Sequence, residues 1–169
     1  YLHDYGPVSG QPTGKSEVSG YFNFRRKELQ ITSGRRDVQR ERKPWGIPWG
    51  RSIAYSILQH ELAHAVVASL LGSRYQKFGK AWHEFIAYAM QFDLMDQELK
   101  SRVLANYPGA EPFRFHESVN PIVHAADPDA FGVSAYLYAE ANGGPAFIAK
   151  ILANEIPFST EEFEFLWVE

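Results

Sequence analysis

The sequence predicts an α+β domain, predominantly helical, with a small β-hairpin near the N-terminus packed beside one long apolar helix. Three observations lead there. Aromatic and β-branched residues flank a short polar break between Val18 and Ile31, the pattern of a two-stranded hairpin. From Ser52 onward apolar residues recur at helical spacing, punctuated at Gly72, Pro108-Gly109 and Gly143-Gly144-Pro145. A chain of 169 residues with 45% hydrophobic and 22% charged residues has the composition of one globular core rather than two.

Taken in order, residues 1–17 read as an irregular lead-in to a single compact domain spanning 1–169. Gly14-Lys15-Ser16 looks like the end of a phosphate-binding loop, but position 9 is Ser where that loop needs Gly, and no strand precedes it. The strands are Tyr21-Phe22-Asn23-Phe24 and Leu29-Gln30-Ile31, with the charged tetrad Arg25-Arg26-Lys27-Glu28 between them. Residues 32–50 form a long basic segment containing Trp45 and Trp49. These either pin the loop to the core or build one wall or a lid of a functional cleft. Ser52 is placed to cap a helix running to Leu71, which Gly72 stops. Further helices are expected over Lys80–Phe92 and Asp96–Tyr107. Residues 110–126 look irregular, with a helical turn near Asn120–His124. Asp127-Pro128 then opens a helix to Asn142, and Pro145 starts another to Asn154. Ser159 and Glu162 have capping-box spacing before a short terminal helix.

Composition excludes several chemistries at once. Cysteine is absent, so there is no disulfide framework, thiolate metal site, iron–sulfur cluster or cysteine nucleophile. Any metal site must be built from carboxylates and the six histidines. The net charge of −3 is unevenly spread, with 9 Lys/Arg against 5 Asp/Glu in residues 1–50 and 8 against 15 in the rest. Arg25, Arg26, Lys27, Arg35, Arg36, Arg40, Arg42 and Lys43 would suit nucleic acid, but no nucleic-acid motif accompanies them and none is expected as a partner. No apolar stretch approaches the roughly 18 residues of a membrane span. The chain starts at Tyr1 rather than Met and reads as a trimmed form, with a periplasmic or secreted location favoured over the cytoplasm. Oligomeric state is not read from the sequence.

The chemistry-bearing feature is His60-Glu61-Leu62-Ala63-His64 inside the first helix. Four residues is just over one helical turn, so both imidazoles project from one face and can share a tetrahedral metal. Glu61 lies between them, positioned as a general base rather than a ligand. The flanking Ile57, Leu58, Val66, Val67 and Leu70 point to burial, where unpaired polar groups cost roughly 1–3 kcal/mol each. A bound Zn²⁺ would compensate them. A third His six residues after His64 would mark a metzincin, but position 70 is Leu. Twenty positions after His64 stands Glu84, on the next helix, which completes a His₂Glu set with an open fourth position. Its neighbour His83 lies about 100° around that helix, and Glu84 is preferred.

These residues resemble the gluzincin group of zinc metallopeptidases, which carry HExxH on one helix and a ligand Glu on the next. Trp49 to Val67, Glu84 to Tyr88 with Gln91-Phe92, Arg102 to Leu104 and Asp127 to Tyr136 resemble, more closely, an uncharacterised bacterial family of predicted metallopeptidases. That likeness covers about residues 20–155. The hairpin-then-helix order also looks like a zincin, whose edge strand binds a peptide or protein substrate alongside the metal; the closer likeness implies a zinc-peptidase-like protein and carries no substrate of its own. It also implies a hydrolase in which Glu61 assists attack of a zinc-bound water on the peptide bond. Two features depart from the pattern. Tyr88 stands where many gluzincins place an Asp that orients a zinc-bound His, and no motif identifies the group that stabilises the oxyanion. His124, Tyr136 and His116 are the candidates for that role, each with an ordinary structural role as the alternative. The competing functional reading is a catalytically silent zinc-binding scaffold that acts in binding or sensing.

Overall fold

A computed structural model of the protein describes residues 20–23, 25–31 and 43–156. The hairpin forms where alternation of aromatic and polar residues demands it. Strand β1 (Gly20–Asn23) pairs antiparallel with β2 (Glu28–Ile31), Phe22 opposite Leu29 and Asn23 opposite Glu28. Glu28 therefore belongs to the second strand, and the turn is Arg25–Lys27, all three side chains exposed. The turn closes through the Arg26 N–H, which donates to Asn23 Oδ1 at 3.1 Å.

The basic segment is described only from Lys43, and its end is a core element. Trp45 is 2% exposed, with its indole edge-on to Phe92 at 5.6 Å between ring centres. Its backbone N–H donates to Asp129 at 2.8 Å, and its backbone carbonyl accepts from Asn106 at 2.8 Å. Trp49 packs partly buried against the same cluster. Both tryptophans thus pin this end of the segment to the core, as one of the two expectations had it, while the Arg-rich part of the expected wall or lid lies outside the described residues.

Helix α1 (Arg51–Leu71) begins two residues earlier than expected, after an extended Gly50 that makes no side-chain cap. Ser52 is already the second residue of the helix and exposed, so it is not the cap. Gly72 ends α1 in the left-handed region at φ 53°, donating its N–H to the Ala68 carbonyl, a conformation that favours glycine. Helix α2 (Lys80–Leu94) returns across α1 after a 3₁₀ turn over Gly72–Lys77. Helix α3 (Gln97–Ala105) is capped by Asp96, whose carboxylate accepts from the N–H groups of Glu98 and Leu99, each at 3.1 Å. The stretch expected to be irregular carries a 3₁₀ turn at His116–Ser118 and a true helix, α4 (Pro121–Ala126), capped by Asn120. Asp127 and Pro128 open α5 (Pro128–Ala141) as the sequence predicts, and α6 (Pro145–Leu152) follows Gly144 at φ 60°. The lead-in, the rest of the basic segment and the terminal helix expected after Ser159 lie outside the described residues. Among the described residues no helix is long and apolar enough to cross a membrane.

Two apolar clusters hold these elements. One gathers Val67, Leu71, Trp82, Phe85, Ile86 and Phe131 with Phe147, Ile148 and Ile151 of α6. The other gathers Trp45, Ile53, Phe92, Leu99, Val103 and Val133. Each buried side chain of this kind contributes about 1.5–3 kcal/mol. Tyr88 packs against both clusters. Helix α5 lies flush beneath it because Gly132 has no side chain: a methyl there would sit 2.6 Å from the tyrosine ring. We expect Gly132→Ala to destabilise the protein by about 1–3 kcal/mol through this overpacking. Gly109→Ala, with open space around it, should stay within about 0.5 kcal/mol. Denaturant midpoints of the two variants check the difference.

Candidate metal centre

The site lies where α1 and α2 cross. On α1, His60 and His64 are one turn apart and face α2, buried together with Ile53, Ala63 and Val67. On α2, Glu84, Tyr88 and Gln91 fall at i, i+4 and i+7, a single stripe along the helix. Crossing the two stripes brings three ligand-type atoms together. His60 Nε2 and His64 Nε2 are 3.1 Å apart. Glu84 Oε2 lies 3.3 Å from the first and 3.7 Å from the second. Metal–ligand bonds of about 2.1 Å in a tetrahedron place neighbouring ligand atoms about 3.4 Å apart. The three atoms already have that spacing, so the residues fit a zinc ion.

What orients His60 is a residue the sequence reading did not single out. Gln91 is 1% exposed and links two neighbours. Its amide nitrogen donates to Ser56 Oγ at 2.8 Å, and its oxygen faces His60 Nδ1 at 3.0 Å. With the amide so oriented, Gln91 accepts from His60 Nδ1, and Nε2 is the ring atom turned to the centre, where it would offer its lone pair to an ion. Gln91 thus performs the orienting task that an Asp at position 88 would have had. Tyr88 instead packs its ring edge-on against His60 at 4.5 Å between ring centres. The signal for Gln91 was an uncharged polar residue seven positions after Glu84, on the same stripe of a mostly apolar helix.

The electrostatics separate the two carboxyl groups. Burial pushes the Glu84 carboxyl up, but the facing imidazoles of His60 and His64 outweigh it and hold the group well below the usual carboxylate range. Glu61, 7% exposed, is pushed up to about 7 by burial. The His64 charge and the Phe22 backbone draw it down, against the Glu84 charge. One carboxylate is therefore kept as an anion and the other is poised to exchange a proton near neutrality.

The three candidate oxyanion donors part company. His124, on α4, is half-buried with Nε2 3.9 Å from Glu84 Oε2, its ring against Phe131 and Tyr88. It stands beside the three-atom group, not within it. Tyr136 stacks on Phe92 at 5.1 Å with the Lys100 ammonium over its ring, in the second apolar cluster. His116 bonds through Nδ1 to the Tyr138 hydroxyl at 3.1 Å and packs on Trp82. Both of the latter serve packing. His83 turns away from the metal group, its Nε2 bonded to the Tyr75 carbonyl at 3.0 Å and its ring between Tyr75 and Phe78.

Neither the curated proteins nor the solved structures contain a match to the chain. Residues 8–161, most of its length, match the profile of DUF6639, a family of unknown function. The chain that builds this His₂Glu group is a member of DUF6639.

Proposed function

We propose that the protein is a zinc-dependent hydrolase of peptide bonds, gluzincin-like in its site. The observation that carries this reading is the convergence of His60 Nε2, His64 Nε2 and Glu84 Oε2 at tetrahedral spacing, with Glu61 next in sequence to the first ligand. His60, His64 and Glu84 would hold the ion. Bound there, zinc supplies Lewis acidity that polarises the scissile carbonyl and acidifies water.

The remaining work falls to the chain's own side chains. Glu61, with its carboxyl near 7, takes the proton of the attacking water and delivers it to the leaving amine. His124 donates to the carbonyl oxygen as negative charge develops there. Burial lowers the pKa of His124, against the pull of Glu84, so at neutral pH it acts as a neutral N–H donor. The silent-scaffold reading drew on the missing Asp at position 88, and Gln91 removes much of that argument by supplying the orienting hydrogen bond.

Glu61→Gln should lower peptide turnover by about 10²-fold or more with zinc content unchanged, whereas His60→Ala, His64→Ala and Glu84→Ala should lose the metal. Metal analysis beside cleavage of a peptide library reads both, and full activity of Glu61→Gln would end the proposal. Gln91→Leu should weaken zinc affinity by about 10–100-fold, measured by competition with a chromogenic chelator. His124→Ala should slow turnover while keeping zinc. Tyr136→Phe, which keeps the stacked ring, should not slow it.

A further inference from the structure

Glu61 is held from a direction that the metal group does not account for. Its side chain lies against strand β1 at a point where the strand has no side chain of its own. A methyl group on Gly20 would sit 2.5 Å from Glu61 Cγ and 2.7 Å from Oε1, separations deep inside van der Waals contact. Gly20 is not among the glycines with positive φ, so the strand's conformation does not require glycine there. What the position provides is close approach of backbone to side chain. Two residues along the same strand, the Phe22 backbone also faces Glu61 and draws its pKa down. The other side of Glu61 is fixed by α1 itself, since both neighbouring turns are locked through His60 to Gln91 and through His64 to Glu84. The side chain is clamped between a helix and a strand, and it is almost entirely buried there.

We propose that Gly20 is a positioning residue for Glu61: its missing side chain seats the carboxylate against β1 and restricts the general base to one orientation beside the His60–His64–Glu84 group. The functional meaning of the seat rests on the peptidase reading above, while the contact itself does not. A glutamate has three rotatable side-chain bonds, and a base free to wander spends little time within reach of the proton it must take. Displacement of a reacting group by about 1 Å costs on the order of 10²-fold in rate. The hairpin then has a second task besides any contact with substrate, because it completes the wall that aims the base.

The test combines a stability cycle with kinetics on the full chain. Gly20→Ala should lower the melting temperature by about 5 °C in the wild-type background, and by much less in Glu61→Ala, where nothing is left to collide. Equal losses in the two backgrounds would overturn the seat. In peptide cleavage by zinc-loaded protein, Gly20→Ala should reduce kcat by about 10-fold to 10²-fold with KM and zinc stoichiometry unchanged. Asn23→Ala opens the hairpin turn without touching Glu61 and should leave kcat near wild type. A coupled stability cycle with unaltered kcat in Gly20→Ala would show a purely structural contact and overturn the positioning role. Parallel kcat losses in Gly20→Ala and Asn23→Ala would also overturn it. A wild-type chain that binds zinc yet cleaves no peptide would sink the peptidase reading and with it the catalytic part of the proposal. The stability cycle would still decide the contact.

Discussion

Three polar groups buried where two helices cross set the terms for everything around them. Two imidazoles and a carboxylate taken out of water cost far more than the surrounding apolar contacts return unless they satisfy one another. Here they do so by converging, Glu84 between His60 and His64, and the convergence requires α1 and α2 to cross at one register. A shift of either helix by one residue would rotate its side chains by about 100° and leave a bare charge in the core. The two apolar clusters, each drawing residues from both helices, keep that register.

Hydrogen-bond direction then propagates outward from the centre. Ser56 lies one turn before His60 on the same helix, and Gln91 bridges them from α2. The loop of bonds is thus closed within two elements, with no dependence on the hairpin or the later helices. Glu61 is different: its surroundings come from α1 on one side and β1 on the other. His60, His64 and Glu61 thus share α1, but only Glu61 also leans on the hairpin. A change confined to β1 would therefore reach Glu61 before it reached the three-atom group.

What the sequence made legible was local. The i, i+4 histidines, the Glu on the next helix, the Asp127 cap and the stops at Gly72 and Gly144 each follow from spacing along one stretch of chain. What it hid depends on packing between stretches. Gln91 looked like any polar residue in a helix until α1 was laid against it. Tyr136 and His116 have the chemistry of an oxyanion donor, but their partners turn out to be Phe92, Trp82 and Tyr138. Trp45 sat in a basic loop that suggested a lid, and its backbone bonds to Asp129 and Asn106 cross sixty residues or more. Residue type announced these side chains as candidates, and only tertiary contacts assigned them.

Tyr88 and Gly132 are a matched pair, a ring on α2 resting in the hollow that α5 leaves for it. That pairing constrains how the site can have changed over time. A bare exchange of Tyr88 for an aspartate would put a carboxylate into an apolar joint and open a hole over Gly132. A side chain at position 132 would in turn evict the ring that braces His60. Neither residue can drift alone, so sequences related to this one should vary at 88, 91 and 132 as a set, the ring, its socket and the amide that orients the histidine changing together.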